Sequence, residues 1–381
     1  MSHTIPLYRF HACLQQDLFP LLKENLGKLT EPMHKLATAI SAVKSEIPPN
    51  ILCDSSYLPG RPRKSRQAIL NAFIAKAVFN IPTTRDLIER LRYDKTMRRL
   101  CGWYYPWDVP CESTFSRAFG EFAENSIPAV LHEEMIRHFL DDEVVLHLSR
   151  DSTSIEAREK PAPKTKQNKP KRKPGRPPKG SEPAKQEPKR IERQGNMNLK
   201  EMLRDLPDKC DVGAKRDSKG YKHTWVGWKL HIDSGDYGIP LSCILTSASV
   251  HDSQVAIPLA AMTAQRVISL YDLMDSAYDV DAIGDYSRLL GHVPIIDPNP
   301  RRNSELKAEL RDEAKAQSVA GITYAQRQRF KQRSTVERTN GRLKDEFGGR
   351  HLRVRGHAKA FCHLMFGILA LTVDQLMRLL N

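Results

Sequence analysis

The sequence predicts an α/β protein: a mixed sheet flanked by helices, with an all-α domain ahead of it and a disordered basic insertion within it. Three observations carry this reading. Apolar residues recur at helical spacing through the first third of the chain. After Glu143, apolar β-branched segments alternate with helical ones. Between them lies a basic, proline-rich stretch with almost no apolar side chains. At 381 residues the chain exceeds one average domain and falls short of three. The expected division is a helical lead segment over 1–50, a helical binding or association domain over 51–140, and a sheet domain over 141–381 interrupted by the insertion at 157–198.

In chain order, QAILNAFIAKAVFNIPTTRDLIERLRYDKTMRRLC reads as two helices broken at Ile81-Pro82, with Thr83 or Thr84 as the second cap. Another helical stretch starts near Ser113. EVVLHLSR is expected to be a central strand ending at Asp151. The segment from Tyr221 to Asp233, the turn SGDYG and the strand IPLSCILTSASV form a hairpin signal. A helix from about Ser253, a strand SLYDLM ending at Asp275, a helix over about 280–290 and a strand HVPIID follow. The sheet is therefore expected to be antiparallel early and parallel late. A charged helix over about 326–347 contains Glu337, and an apolar helix over about 358–380 closes the chain. The apolar run around Leu364–Val373 is too short for a bilayer span of ~20 residues and reads as buried.

The formal charge of +15 implies a polyanionic partner, and Arg158 to Arg190 supplies +10 of it with eight prolines. Basic residues fall in separate blocks rather than along an amphipathic helix, which favours nucleic acid over a membrane. Seven scattered cysteines without a C-x-x-C pair argue against a disulfide framework and a zinc site. With no signal-like leader in the N-terminal residues, the expected location is the cytoplasm. Within the insertion, KPGRPPKG looks like an AT-hook: prolines keep the chain extended, so Arg176 can enter a narrow A·T minor groove while Lys173 and Lys179 meet phosphates. It reads equally as a generic basic linker.

Metal-assisted phosphodiester chemistry needs hard oxygen ligands from at least two acidic side chains that meet. Asp151 and Asp275, each closing a strand, can meet if the strands are neighbours, and Glu337 can join them from a helix crossing the sheet. Singly, an aspartate after a strand is more often a cap or turn residue. Asp279 reads as a helix cap and Asp272 as a surface turn residue.

The ordered motifs RDSTSI, KGYKHTWVGWKLHID, GIPLSCILTSASVHDS, YDLMDSAYD and RFKQRSTVERTNGRLKDEFGG, over about 143–375, resemble the catalytic domain of bacterial insertion-sequence DDE transposases. GRPRKSRQAIL, TTRDLIERL and CESTFSRAF resemble their helical N-terminal domain. The resemblance implies a ribonuclease-H-like fold in which Asp151, Asp275 and Glu337 are the catalytic and metal-binding residues, holding two Mg²⁺ ions with Mn²⁺ as a substitute. It also implies a Tyr-Arg-Glu-Lys signature on one helix. Arg333, Glu337 and Lys344 take its places, and Phe330 stands where the tyrosine belongs. Spacings of four and seven return to one helix face, so Arg333 and Lys344 can touch phosphates while Glu337 faces the metals. His251 and Asp252 resemble a recurring pair that supports the site, or they cap a helix.

Some relatives stack a flipped base on a tryptophan between the second aspartate and the glutamate. All four tryptophans here (103, 107, 225 and 228) fall earlier, leaving Tyr278, Tyr286, Tyr324 and Phe330 as aromatic faces and the hairpin step open. Arg85, Arg92, Arg98 and Arg99 mark a DNA-facing surface or simply a solvated one. The implied function is metal-dependent cleavage at terminal inverted repeats and strand transfer into target double-stranded DNA, by a homodimer or larger assembly associated with the bacterial nucleoid. A catalytically idle, domesticated DNA-binding protein and a nuclease that never joins ends are the alternatives.

Overall fold

The computed structural model describes residues 29–47, 52, 63–140, 143–163, 188–216, 220–301, 303–321 and 324–380. The helical part comprises α1 (Glu31–Ser45), α2 (Arg66–Val78), α3 (Thr84–Tyr93), α4 (Lys95–Cys101), α5 (Glu112–Glu124) and α6 (Ile127–Leu140). Side-chain caps start α2 and α3: Ser65 accepts from the Ala68 amide and Thr83 from that of Asp86. The segment expected to be one helix after Pro82 is two, because the Asp94 carboxylate accepts from the Met97 amide and starts α4. Arg98 is buried with its guanidinium on the Leu91 and Arg92 carbonyls, so it closes this turn and faces no DNA.

The sheet contains β1 (Val144–Glu156), β2 (Asp211–Arg216), β3 (Lys222–Ser234), β4 (Pro240–Ser247), β5 (Ile268–Met274) and β6 (Val293–Ile296). Its order is β2-β3-β1-β5-β6, with β4 also on β3. β1 lies antiparallel to β3 and parallel to β5, and β5 parallel to β6. An antiparallel first half and a parallel second half, flanked by helices, make this the expected ribonuclease-H-like sheet. Gly227 is where β3 leaves β2 and joins β1: its φ is +152° and a Cβ there would meet the Ile155 carbonyl oxygen at 2.1 Å.

Helices α7 (Arg190–Gln194), α8 (Leu199–Asp205), α9 (Ser253–Ala264), α10 (Asp281–Leu289), α11 (Ser304–Ala320), α12 (Ala325–Phe330), α13 (Ser334–Asp345) and α14 (His357–Leu380) complete the fold. Residues 188–198, expected to be part of the disordered insertion, belong to the folded domain: Gln194 is buried and donates to the Gln254 carbonyl, while Arg190 pairs with Asp205 at 2.8 Å. The AT-hook-like residues Lys173, Arg176 and Lys179 lie outside the described residues.

One core joins the helices to the sheet. Phe73 of α2 meets Phe115, Phe119 and Phe122 of α5 and Phe366 of α14, with ring centroids 5.0 to 6.4 Å apart. Each such buried ring contributes about 1.5–3 kcal/mol. By length and composition α14 exceeds the expected short run and passes for a bilayer span, but most of it is buried against α1, α2, α5, α6 and β4.

Candidate active site

Arg150 is opposite Met274 where β1 runs parallel to β5, so the next residues, Asp151 and Asp275, emerge side by side. β1 does not end at Asp151, as expected, but continues to Glu156 because 149–156 pair with β3. Asp275 leaves β5 into a single 3-10 turn, and its Oδ1 accepts from the Ala277 amide at 2.9 Å.

Helix α13 crosses β1 and β3. Asn340 on this helix donates its side-chain amide to Asp151 Oδ2 at 3.2 Å. Glu337 is one turn earlier on the same face, its side chain 52% exposed and bound to Arg333 Nη2 at 2.6 Å. Lys344, one turn after Asn340, donates to Ser154 Oγ at 3.4 Å. Phe330 ends α12, with its ring centroid 5.7 Å from the Arg333 guanidinium carbon. Thus the arginine, glutamate and lysine share the predicted face, but Glu337 faces Arg333 and solvent. Among the described residues no three His, Cys, Asp or Glu side chains are gathered into a ready metal cluster.

Burial is the main force on Asp151, and its carboxyl is raised from 3.8 to about 6; Lys215 and Arg333 oppose the rise and Asp275 adds to it. Tyr278, closing the turn after Asp275, is fully buried and its hydroxyl has no hydrogen-bond partner among the described residues. Burial first, then the Asp252 and Asp151 charges, push this phenol well above its usual range, so it keeps its proton. Its burial also removes it as a stacking face for a flipped base.

Asp252 is tied to the same place. It accepts from Lys229 Nζ at 3.0 Å and from the hydroxyl of Ser152, the residue beside Asp151. Burial alone would raise it, but His231, Lys229 and Ser152 together hold it below the ordinary carboxylate range. His251 turns the other way, its Nδ1 2.8 Å from Ser253 Oγ at the start of α9. Asp279 accepts from the Asn299 amide at 2.8 Å and braces the loop after β6 rather than capping α10.

Behind the site, Arg150 makes a buried bidentate pair with Asp233, both bonds 2.8 Å, and Asp233 also accepts from Thr263 of α9. Asp272, expected on the surface, is buried and accepts from Ser287 at 2.6 Å beside the His292 ring. The expectation failed because its partners are 15 and 20 residues away in sequence.

Sequence reasoning did not single out Asn340, Lys215 or Ser152, and took Tyr278 only as an aromatic face. Asn340 had a signal: it stands three residues after Glu337 in VERTNGRLK, one helical turn away. Asp151 and Asp275 offer carboxylate oxygens side by side, and a largely buried carboxylate raised to about 6 is short of compensating positive charge. That combination fits a hard divalent cation.

The family described as Transposase DDE domain matches residues 146–373, which take in the sheet from the third residue of β1 onward. The family described as Transposase domain (DUF772) matches residues 25–121, whose described residues include α1 to α4 and most of α5. No curated protein and no solved structure matches the chain. With more than half of its length covered, the chain belongs to the DDE transposase family, its catalytic-type domain preceded by a helical transposase domain.

Proposed function

We propose that the protein cleaves DNA at the terminal inverted repeats of an insertion sequence and joins the freed ends to target DNA, with Asp151, Asp275 and Glu337 as the catalytic carboxylates. The observation that carries this is the juxtaposition of Asp151 and Asp275 on adjacent parallel strands, with Asp151 bound through Asn340 to the helix of Glu337. Divalent ions bound there, two Mg²⁺ or Mn²⁺ in this reading, would supply charge stabilisation at the scissile phosphodiester and lower the pKa of a bound water.

The side chains do the positioning. Asp151 and Asp275 would hold the cations, and Asn340 fixes which Asp151 oxygen turns to α13. Arg333 restrains Glu337 until a DNA phosphate takes the guanidinium, which frees the carboxylate to turn inward. Lys344, lowered chiefly by burial, is placed to receive a phosphate beyond Ser154, with Lys215 of β2 nearby. The Lys229–Asp252–Ser152 chain braces β1 beside Asp151. Two element ends must be held together for joining, so the acting form is a dimer or larger assembly on DNA.

The test is a Mg²⁺-dependent cleavage and joining assay on the inverted repeats flanking the gene. Asp151→Asn, Asp275→Asn and Glu337→Gln should each lower both steps by at least about a thousandfold, an effect of roughly 4 kcal/mol on the barrier. Wild-type rates in the Glu337→Gln protein would sink the assignment. Cleavage without joining of pre-cut ends would make the protein a nuclease instead.

A further inference from the structure

A cavity of about 620 Å³ lies between the helical and sheet parts, with walls that include Phe73, Phe119, Phe347 and Phe366. Its charged lining is uneven: Lys76 and Arg85 from the helical part and Arg158 and Arg353 from the sheet part stand against Asp86 and Glu112. Glu112 is already taken, 3.3 Å from Arg85. Arg158 and Arg353 are exposed and have no hydrogen bond or ion pair among the described residues. Lys76 is buried, and its ammonium donates to the Pro82 carbonyl at 3.3 Å. Burial, opposed by Asp86 and reinforced by Arg353, brings Lys76 down to about 8. Three cations thus crowd one space with a single carboxylate not otherwise engaged, a cost that an incoming anion removes.

The position of the cavity indicates which anion. Arg158 follows the end of β1, and Glu156 is five residues beyond Asp151, about 16 Å at the ~3.3 Å rise of a strand. Duplex DNA advances ~3.4 Å per base pair, so this is about five base pairs from the carboxylates. Lys344 at Ser154 lies between them.

We propose that the interdomain cavity lined by Lys76, Arg85, Arg158 and Arg353 is a phosphate site that grips the DNA backbone about five or more base pairs from the scissile bond. The two parts of the chain each supply cations, so DNA bound there also ties them together. This rests on the reading of the protein as a DNA transposase.

Binding of a duplex of about 40 base pairs, followed by fluorescence anisotropy across a salt series, tests it. Removing two phosphate contacts with Arg158→Gln/Arg353→Gln should lower the slope of log K against log salt by about 1.8. The charge-preserving Arg158→Lys/Arg353→Lys protein should keep the wild-type slope. Thermal unfolding of the glutamine protein should be unchanged or shifted upward, since it loses repulsion against Lys76. A wild-type slope in the glutamine protein, with DNA binding intact, would overturn the phosphate site and leave the transposase reading standing. An equal loss of slope in the lysine protein would also overturn it, because charge would not be what is counted. No duplex binding by the wild-type protein would remove both.

Discussion

Arg150 and Asp151 are consecutive residues of one strand, and they have opposite fates. Arg150 points toward α9, where Asp233 takes its guanidinium in two bonds and Thr263 completes the carboxylate. Asp151 points toward α13, where the hydrogen bond it receives from a side chain comes from a neutral amide, Asn340. One charge is buried and answered; the other is largely buried and held as an acid raised to about 6. The difference separates scaffold from site. A saturated network fixes the strand, and the carboxylate left short of positive charge marks where a cation is wanted.

That contrast predicts stability changes of opposite sign. Asp233→Ala leaves Arg150 buried without its partner and should cost about 3–5 kcal/mol in urea unfolding. Replacing both, Arg150→Met with Asp233→Leu, should recover most of that loss. A single-variant loss below about 1 kcal/mol would mean the pair is not the strand's anchor.

Asp151→Asn should do the reverse. The folded-state carboxyl is raised from 3.8 to about 6, so ionising it costs folding free energy. The cost is absent below about pH 4, grows as pH rises through about 6, and is full above that. With divalent ions chelated, Asp151→Asn should therefore stabilise the protein at neutral pH by on the order of 1–2 kcal/mol, after allowing for its partial exposure. Near pH 3.5 the two proteins should unfold alike. Equal stability at neutral pH would show that Asp151 is as well satisfied as Arg150.

How much of this was legible in the sequence follows the range of the interactions. Strands β1, β3, β4 and β5 carry apolar periodicity that was readable locally, and so was the shared face of Arg333, Glu337 and Lys344 on their helical spacing. β2 is six residues and mostly exposed, so it carries no apolar pattern to mark it as a strand. α7 sits in a polar tract and is held by Asp205 and Gln254 from outside it. Burial of Arg150, Asp233 and Asp272 depends on partners from other strands and helices, which no local pattern encodes. The same holds for Tyr278, whose place among Asp151, Asp252 and Asp275 depends on the sheet order.

The most direct test of the site is calorimetric titration of Mn²⁺ into the wild-type protein and into Asp151→Asn. The account predicts binding by the wild type that weakens as pH falls through about 6, because protons then compete for Asp151, and loss of that binding in the variant. Equal Mn²⁺ affinity in the two proteins would contradict it.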